Sequence, residues 1–127
     1  MKITNNLSLV NKGDITDITI SGEIGYNVWA DTFEEYKKNT SENIATELNA
    51  IKNIKGSIIN VTLESMGGDL VHALAIYSQL RNSGATINTY LRGVNASAST
   101  VIAAAAKPEN TYMDSTGLFL VHKVLTD

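Results

Sequence analysis

Cysteine is absent from this sequence of 127 residues, and its absence excludes three kinds of chemistry. The chain can have no disulfide framework, no thiol nucleophile and no thiolate metal site. A reducing compartment is compatible with this composition. If the protein uses a nucleophilic side chain, that side chain must therefore be of another type.

Long apolar runs and clusters of basic residues are also missing. No stretch approaches the roughly 18 apolar residues of a membrane span, and residues 1–6 lack the apolar stretch of a signal peptide. The formal net charge is -3, and Lys37-Lys38 is the only pair of adjacent Lys or Arg residues, so we expect no basic patch for nucleic acid. We therefore expect a cytoplasmic protein with neither a membrane nor a nucleic acid as its partner.

The composition that remains is typical of one globular domain. The length allows a single domain, and a hydrophobic content of 43% is enough for a core. No internal repeat, linker or low-complexity segment is visible. We assign residues 1–127 to one domain and expect neither a cofactor nor a metal ion.

Apolar periodicity predicts an alternation of strands and helices. The expected order is a strand or strand pair at 15–24, a helix from a cap at Thr40 or Ser41 to about residue 55, a strand at 58–63, a helix from about Asp69 to residue 83, a strand at 85–91, a helix after Ser97, and two short strands around Tyr112 and Leu120. Repeated alternation of this kind predicts parallel βαβ units.

Some side chains carry more specific expectations. We expect three aromatic residues to cover an edge of the core rather than a subunit contact: Trp29, Phe33 and Tyr36. The helix after residue 69 is expected to bury Leu74 and to leave His72 at the surface. The apolar run at 118–121 predicts a buried strand.

Ser97 and His122 stand in contexts that suit nucleophilic catalysis. Ser97 precedes the Ala-rich run at 101–106, which predicts a buried helix, so its hydroxyl is expected at a helix start. Unpaired backbone N–H groups at a helix start favour developing negative charge. His122 ends the apolar run at 118–121 and can point into a cleft. The pair Gly67-Gly68 follows a predicted strand, and glycine lets backbone N–H groups approach a substrate carbonyl.

Each of these features also has an ordinary structural interpretation. A serine before an Ala-rich helix is often an N-cap, a histidine at a strand end is usually structural, and a Gly-Gly turn is usually only a turn. Their order and spacing favour the catalytic interpretation.

Four segments in this order resemble the proteolytic subunit of the Clp protease, ClpP, and most closely the ClpP-related proteases of phages and prophages. The segments are residues 21–25, residues 65–69 with 75–77, residues 93–99 and residues 120–122. They are similar to the family's Gly-Glu-Ile strand end, its Ser-Pro-Gly-Gly turn, its Gly-x-Ala-Ala-Ser nucleophile motif and its strand ending in the catalytic histidine. The similarity extends from about residue 15 to the end of the chain.

The resemblance implies a ClpP/crotonase-like α/β fold, built as a superhelix of βαβ units, and the activity of a serine endopeptidase. It implies that Ser97 is the nucleophile, that His122 is its base, and that the N–H groups of Gly68 and Ala98 form the oxyanion hole. It further implies a protein or peptide substrate, a homo-oligomer, and an ATPase unfoldase or phage capsid proteins as partners. Phage head maturation is one setting for such an enzyme.

The third catalytic residue is harder to identify. The family's acid comes from a segment well beyond the histidine, and few residues follow His122 in this sequence. Asp127 is too close to His122 along a strand to be a good substitute, and Asp114 sits at a turn, where a capping role is expected. We therefore expect that the chain is a fragment of a longer protein and that the 127-residue form is itself inactive.

Three positions depart from the family pattern: Met66, Glu64 and Asn95 replace a proline, an asparagine and an alanine. Glu64 is expected at a solvated strand end, whereas burial of its carboxylate would alter pKa values in the site. The main alternative to a protease is a catalytically inactive ClpP-like scaffold or assembly subunit. The related crotonase fold is a further possibility, although its acyl-CoA chemistry does not require a serine and histidine pair.

Overall fold

The computed structural model of the protein describes residues 1–25 and 30–122. Its strands are β1 (Leu7–Lys12), β2 (Ile15–Ile24), β3 (Ile58–Gly68), β4 (Thr86–Leu91), β5 (Val94–Ala96), β6 (Thr111–Met113) and β7 (Leu118–Leu120). Its α-helices are α1 (Phe33–Lys52), α2 (Leu70–Arg81) and α3 (Ala98–Ala103), and a short 3₁₀ helix spans Pro108–Asn110. From β2 to β4 strands and helices alternate as the apolar periodicity predicts, whereas β1 and β5 were not predicted.

The strands form two sheets. The larger sheet has the order β1-β2-β3-β4-β6, and the smaller sheet pairs β5 with β7. A tight turn joins β1 and β2, which are antiparallel, whereas the other strand pairs in the described residues are parallel. Parallel neighbours need a crossover connection. Helix α1 lies in the connection from β2 to β3, and α2 lies in the connection from β3 to β4. The predicted parallel βαβ units are confirmed.

Strand β3 lies in the middle of the larger sheet and carries the centre of the core. Ile59, Val61 and Leu63 are 0% exposed, as the strand periodicity predicts. The opposite face is half-buried and polar at Asn60, whose Nδ2 donates to Asp17 Oδ1 at 3.1 Å. Burial of a large apolar side chain contributes about 1.5–3 kcal/mol relative to exposure. This packing anchors the strand whose last residues reach the candidate site.

Helix α1 begins earlier than the sequence patterns predict. Thr32 is its N-cap, because Thr32 Oγ1 accepts a hydrogen bond from the Glu35 N–H at 3.1 Å. The predicted cap at Thr40 or Ser41 is therefore wrong. Phe33, expected in the core, is 72% exposed on the first turn, and Tyr36 is half-buried. Trp29 lies outside the described residues.

Helix α2 begins where it was expected, because Asp69 Oδ1 accepts a hydrogen bond from the His72 N–H at 3.1 Å. The predicted exposure of His72 is wrong, since this residue is 1% exposed. Its Nε2 lies 2.9 Å from Glu47 Oε1 of α1. The Thr4 hydroxyl donates to Glu47 Oε2 at 2.8 Å. The histidine is buried because α1 places a carboxylate over that face of α2.

Two expectations of burial are also wrong. Leu74 on α2 is exposed, and so are the three residues of β7 and Val121. Leu74, Phe119 and Val121 line an apolar cavity of about 810 Å³ instead of packing against a further element of the described chain. These three apolar residues therefore line a cavity and do not fill the core.

Candidate active site

Gly68, Ser97, Ala98 and His122 line one cavity of about 370 Å³. Gly68 is the last residue of β3, Ser97 and Ala98 stand at the start of α3, and His122 follows β7. The structure therefore brings together all four residues that the sequence analysis selects for the site.

The parallel pairing of β5 and β7 accounts for the meeting of Ser97 and His122 at one edge. Ala96 lies opposite Leu120, and the Ser97 N–H donates to the Leu120 carbonyl at 3.1 Å. The carboxyl ends of parallel strands open at the same edge of a sheet. Ser97 directly follows β5 and His122 closely follows β7, so both side chains stand at this edge.

Ser97 has an unusual backbone conformation. Its φ is 58° and its ψ is -124°, and among the described residues it is the only non-glycine with a positive φ. Holding a residue in such a sparsely populated region costs on the order of 1–3 kcal/mol. Ser97 occupies the N-cap position of α3, yet its side chain makes no capping hydrogen bond in the described structure. A serine whose role was only to cap the helix would use its hydroxyl there.

The glycine pair permits close approach of backbone to backbone at this point. A Cβ atom at position 67 would lie 2.8 Å from the Ser97 Cβ, and one at position 68 would lie 2.3 Å from the Ile24 carbonyl oxygen. Both distances are too short for a side chain. The end of β3 can therefore lie between β2 and the serine turn only with glycine at both positions.

A buried polar network, whose role was not predicted from the sequence, supports this part of the site. Asn95 Oδ1 accepts a hydrogen bond from the Ser65 N–H at 3.1 Å, and Asn95 Nδ2 donates to the Leu63 carbonyl at 3.0 Å. Ser99 Oγ donates to the Ser65 carbonyl at 2.9 Å. The signal available in the sequence was the set of short polar residues among apolar ones at 95–99. Asn95 was noted there only as a departure from the family pattern.

Asp114 and Asp127 are the two candidates for the third catalytic residue. Asp114 Oδ2 accepts a hydrogen bond from the Gly93 N–H at 3.3 Å, and the Asp114 carbonyl accepts one from the Gly117 N–H at 2.9 Å. These contacts agree with the turn role expected for Asp114. Asp127 lies outside the described residues.

Glu64 is exposed, as expected, but it does not lie at a strand end, because β3 continues to Gly68. Together with Glu23 and Met66 it lines a separate cavity of about 830 Å³, which also reaches Gly67 and Gly68. The carboxylate of Glu64 is therefore solvated.

Within residues 1–25 and 30–122, no three His, Asp or Glu side chains come together in a way that could hold a metal ion. Nor is any helix in those ranges both long and apolar enough to cross a membrane.

The sequence profile of the Clp protease family matches residues 27–126, which is more than half of the chain. The chain therefore belongs to the Clp protease family. No curated protein matches the chain significantly in sequence.

Solved structures agree on the fold. ClpP1 from Listeria monocytogenes superposes with a TM-score of 0.62 at 23% identity, over 84% of this chain and 55% of that one. Its N165D mutant gives a TM-score of 0.63 at 22% identity, again over 84% and 55% of the two chains. An enoyl-CoA hydratase from Shewanella pealeana gives 0.58 at 11% identity, over 91% of this chain and 49% of that one. The predicted ClpP/crotonase-like fold is confirmed, and the chain spans about half the length of these ClpP1 structures.

Proposed function

We propose that this protein is a serine endopeptidase of the ClpP type, with Ser97 as nucleophile and His122 as general base. The observation that carries the proposal is the shared cavity lined by Gly68, Ser97, Ala98 and His122. The strained backbone of Ser97 adds support, because residues held in such conformations cluster at active sites.

In the proposed reaction, Ser97 Oγ attacks the carbonyl carbon of the scissile peptide bond while His122 takes the hydroxyl proton. The carbonyl oxygen becomes an oxyanion, which the N–H groups of Gly68 and Ala98 stabilise. Loss of one such donor typically costs about 10²–10³ in rate. The C–N bond then breaks, and His122 gives its proton to the leaving amine. Water, deprotonated by His122, releases the acyl group as a carboxylic acid and restores Ser97.

Ala98 suits its proposed role through its place in the chain. It is the first residue of α3, and the N–H groups of a first helical turn have no acceptor inside the helix. Only backbone atoms are needed, so the identity of the side chain is of little consequence. Gly68 lies at the end of β3 and lines the same cavity.

The apolar cavity beside the site supports a peptide as substrate. It shares Thr100, Val101 and Val121 with the cavity around Ser97, and its other walls include Tyr77 and Phe119. An apolar side chain of a bound peptide can occupy such a space while the peptide carbonyl faces Ser97. The substrate we propose is therefore a protein or peptide with an apolar residue near the cleaved bond.

We further propose that the acid that orients His122 belongs to chain beyond residue 127, that the protein is a homo-oligomer, and that it acts in the cytoplasm. An ATPase unfoldase or phage capsid proteins are the partners consistent with the sequence resemblance, and head maturation would be the setting in the second case. The alternative function is an inactive scaffold or assembly subunit. The observation in its favour is that the Asp114 carboxylate accepts a hydrogen bond from the Gly93 N–H, as expected of a turn residue.

A serine-directed fluorophosphonate probe tests the proposal. The protein expressed from its complete gene should be labelled, because Ser97 Oγ attacks phosphorus, fluoride leaves, and His122 takes the proton. Ser97→Ala should abolish labelling. Ser78→Ala, which removes an exposed hydroxyl from α2, is the matched control and should label like wild type. Equal labelling of wild type and Ser97→Ala would exclude Ser97 as nucleophile, and a complete lack of labelling would favour the inactive scaffold.

A further inference from the structure

Asn95 is an asparagine inside the core, at 0% exposure, two residues before the candidate nucleophile. We propose that Asn95, assisted by Ser99, is a positioning residue that fixes the oxyanion-hole end of β3 against the turn that carries Ser97. The inference rests on the proposed function, since it assigns a role within that site.

The need for such a residue follows from where the sheet pairing ends. Strand β3 pairs with β4 only as far as Leu63, which lies opposite Leu91. After that point the chain leaves β4 through Arg92 and Gly93 and enters β5. The last residues of β3, from Ser65 to Gly68, therefore lose their neighbour on that side just before they reach the candidate site.

The Asn95 side chain takes the place of the missing strand. In a sheet ladder, a residue offers one acceptor and one donor to alternate groups of its neighbour. Asn95 does the same with its amide, since Oδ1 accepts from the Ser65 N–H at 3.1 Å and Nδ2 donates to the Leu63 carbonyl at 3.0 Å. Nδ2 also donates to the Arg92 carbonyl at 3.1 Å, which holds the turn out of β4. One side chain thereby joins β3, the β4 end and β5.

Ser99 completes the connection from the other side of Ser97. Its hydroxyl, also 0% exposed, lies 2.9 Å from the Ser65 carbonyl and 3.0 Å from the Ala96 carbonyl. Ser65 in turn accepts a hydrogen bond from the Gly67 N–H at 3.1 Å. The N–H, the carbonyl and the hydroxyl of Ser65 are thus all hydrogen-bonded. These bonds hold residues 65–67 against the chain on both sides of Ser97.

The consequence concerns the distance between nucleophile and oxyanion donor. Gly67 contacts Ser97 and Gly68 follows it, so a shift of the Ser65 backbone would move the Gly68 N–H relative to Ser97. A misplacement of about 1 Å in an active site can cost about 10²-fold in rate. Because neither Asn95 nor Ser99 lines the cavity around Ser97, their loss should alter the reaction step more than probe binding.

The test measures fluorophosphonate labelling of the protein expressed from its complete gene, with three quantities recorded. These are the fraction of protein molecules labelled at the end point, the limiting rate constant at saturating probe, and the probe concentration that gives half of that rate. Asn95→Ala removes all three hydrogen bonds. Asn95→Asp keeps an acceptor for the Ser65 N–H but turns a carboxylate towards two carbonyl oxygens. Asn88→Ala, which breaks an amide contact to Asn60 within the sheet, is the matched control.

We expect both Asn95 variants to reach full labelling with a limiting rate constant about 10-fold to 10²-fold below wild type. The half-saturating concentration should change little, and Asn88→Ala should behave like wild type. A purely structural role would instead lower the fraction of protein molecules labelled and leave the rate constant of the folded fraction unchanged. That result, or wild-type rates throughout, would overturn the positioning role.

Ser99→Ala keeps the inference testable if the Asn95 variants do not fold. Alanine is a good helix former. The Ser65 and Ala96 carbonyls lose the hydroxyl that donates to them, but the substitution places no unpaired polar side chain in the core, so this variant should fold. It should show the same lowered limiting rate with full labelling, and a wild-type rate would refute the proposal. Failure of the wild-type protein to label at Ser97 would be a different outcome, because it would overturn the proposed function itself.

Discussion

Gly67 lies so close to Ser97 that a Cβ atom on Gly67 would stand 2.8 Å from the Ser97 Cβ. The φ of Gly67 is +114°, a conformation that other residues rarely adopt. Space and backbone conformation therefore both require glycine beside the candidate nucleophile. This relationship connects the end of β3 with the serine turn and gives the first prediction.

Gly67→Ala should lower the limiting rate of fluorophosphonate labelling by about 10²-fold or more, because the new methyl group displaces Ser97. Gly84→Ala is the matched control, since Gly84 also has a positive φ of +79° but no atom lies within 4 Å of an added Cβ. The control should cost about 1–2 kcal/mol of unfolding free energy and leave the labelling rate unchanged. Wild-type labelling of a folded Gly67→Ala protein would contradict the prediction.

His122→Ala should lower peptide hydrolysis by about 10⁴-fold to 10⁶-fold, because Ser97 would lose its proton acceptor. The histidine is exposed in the described structure, so its removal should change the unfolding temperature little. Steady-state kinetics with a fluorogenic peptide and a thermal melt check the two statements. Activity within 10-fold of wild type would exclude His122 as the base.

Glu47 and His72 should behave as a coupled pair in stability measurements. Each is buried, and removal of one partner leaves the other without its 2.9 Å contact. Glu47→Leu or His72→Leu alone should cost about 3 kcal/mol or more of unfolding free energy.

The double variant should be more stable than the sum of the two losses predicts, because neither Glu47 nor His72 then remains buried without the other, although the Thr4 hydroxyl still loses its acceptor. Urea denaturation of the four proteins completes this cycle. Strictly additive losses would show that the contact contributes nothing specific to folding.

Asp14 should make stability depend on pH in the acid range. Its side chain accepts hydrogen bonds from the Ser57 hydroxyl and from the Ser57 N–H, and these bonds hold the pKa of Asp14 below its ordinary 3.8. The folded state thus favours the carboxylate, so the stabilisation is present above pH 3.8 and is lost as the pH falls through the lower folded pKa.

Asp14→Asn should flatten the fall in unfolding temperature below about pH 4, and Ser57→Ala should flatten it in part because the backbone donor remains. The control Ser78→Ala should keep the wild-type slope. Thermal melts at several acidic pH values measure the effect. An unchanged slope in Asp14→Asn would show that this carboxylate has the same pKa in the folded and unfolded states.

If the acid that orients His122 lies beyond residue 127, residues 1–127 expressed alone should hydrolyse peptides about 10⁴-fold more slowly than the product of the complete gene. Peptide assays of both proteins under the same conditions provide the measurement. Robust turnover by residues 1–127 that disappears in His122→Ala would show that no further acid is needed.

Local patterns were enough for much of the fold. The start of α2 was predictable because Asp69 caps it through neighbouring atoms, and strand β3 because its apolar residues alternate. The start of α1 was missed although Thr32 and Glu35 have the spacing of a capping box. The apolar pattern around these two residues is too weak to predict a helix, so the spacing was not interpreted as a helix start. The burial of His72 and the exposure of Leu74 were missed because both depend on what α1 and β7 place nearby.

For the candidate site, the sequence by itself determined which residue types follow one another: a glycine pair after a strand, a serine before a helix, a histidine after a strand. These are local properties, so they can be recognised without the fold. Only the tertiary structure decided that Asn95 supports β3, because its partner Ser65 is 30 residues away in sequence. It also decided the strained backbone of Ser97, since a conformation that costs energy locally persists only where distant groups hold it in place.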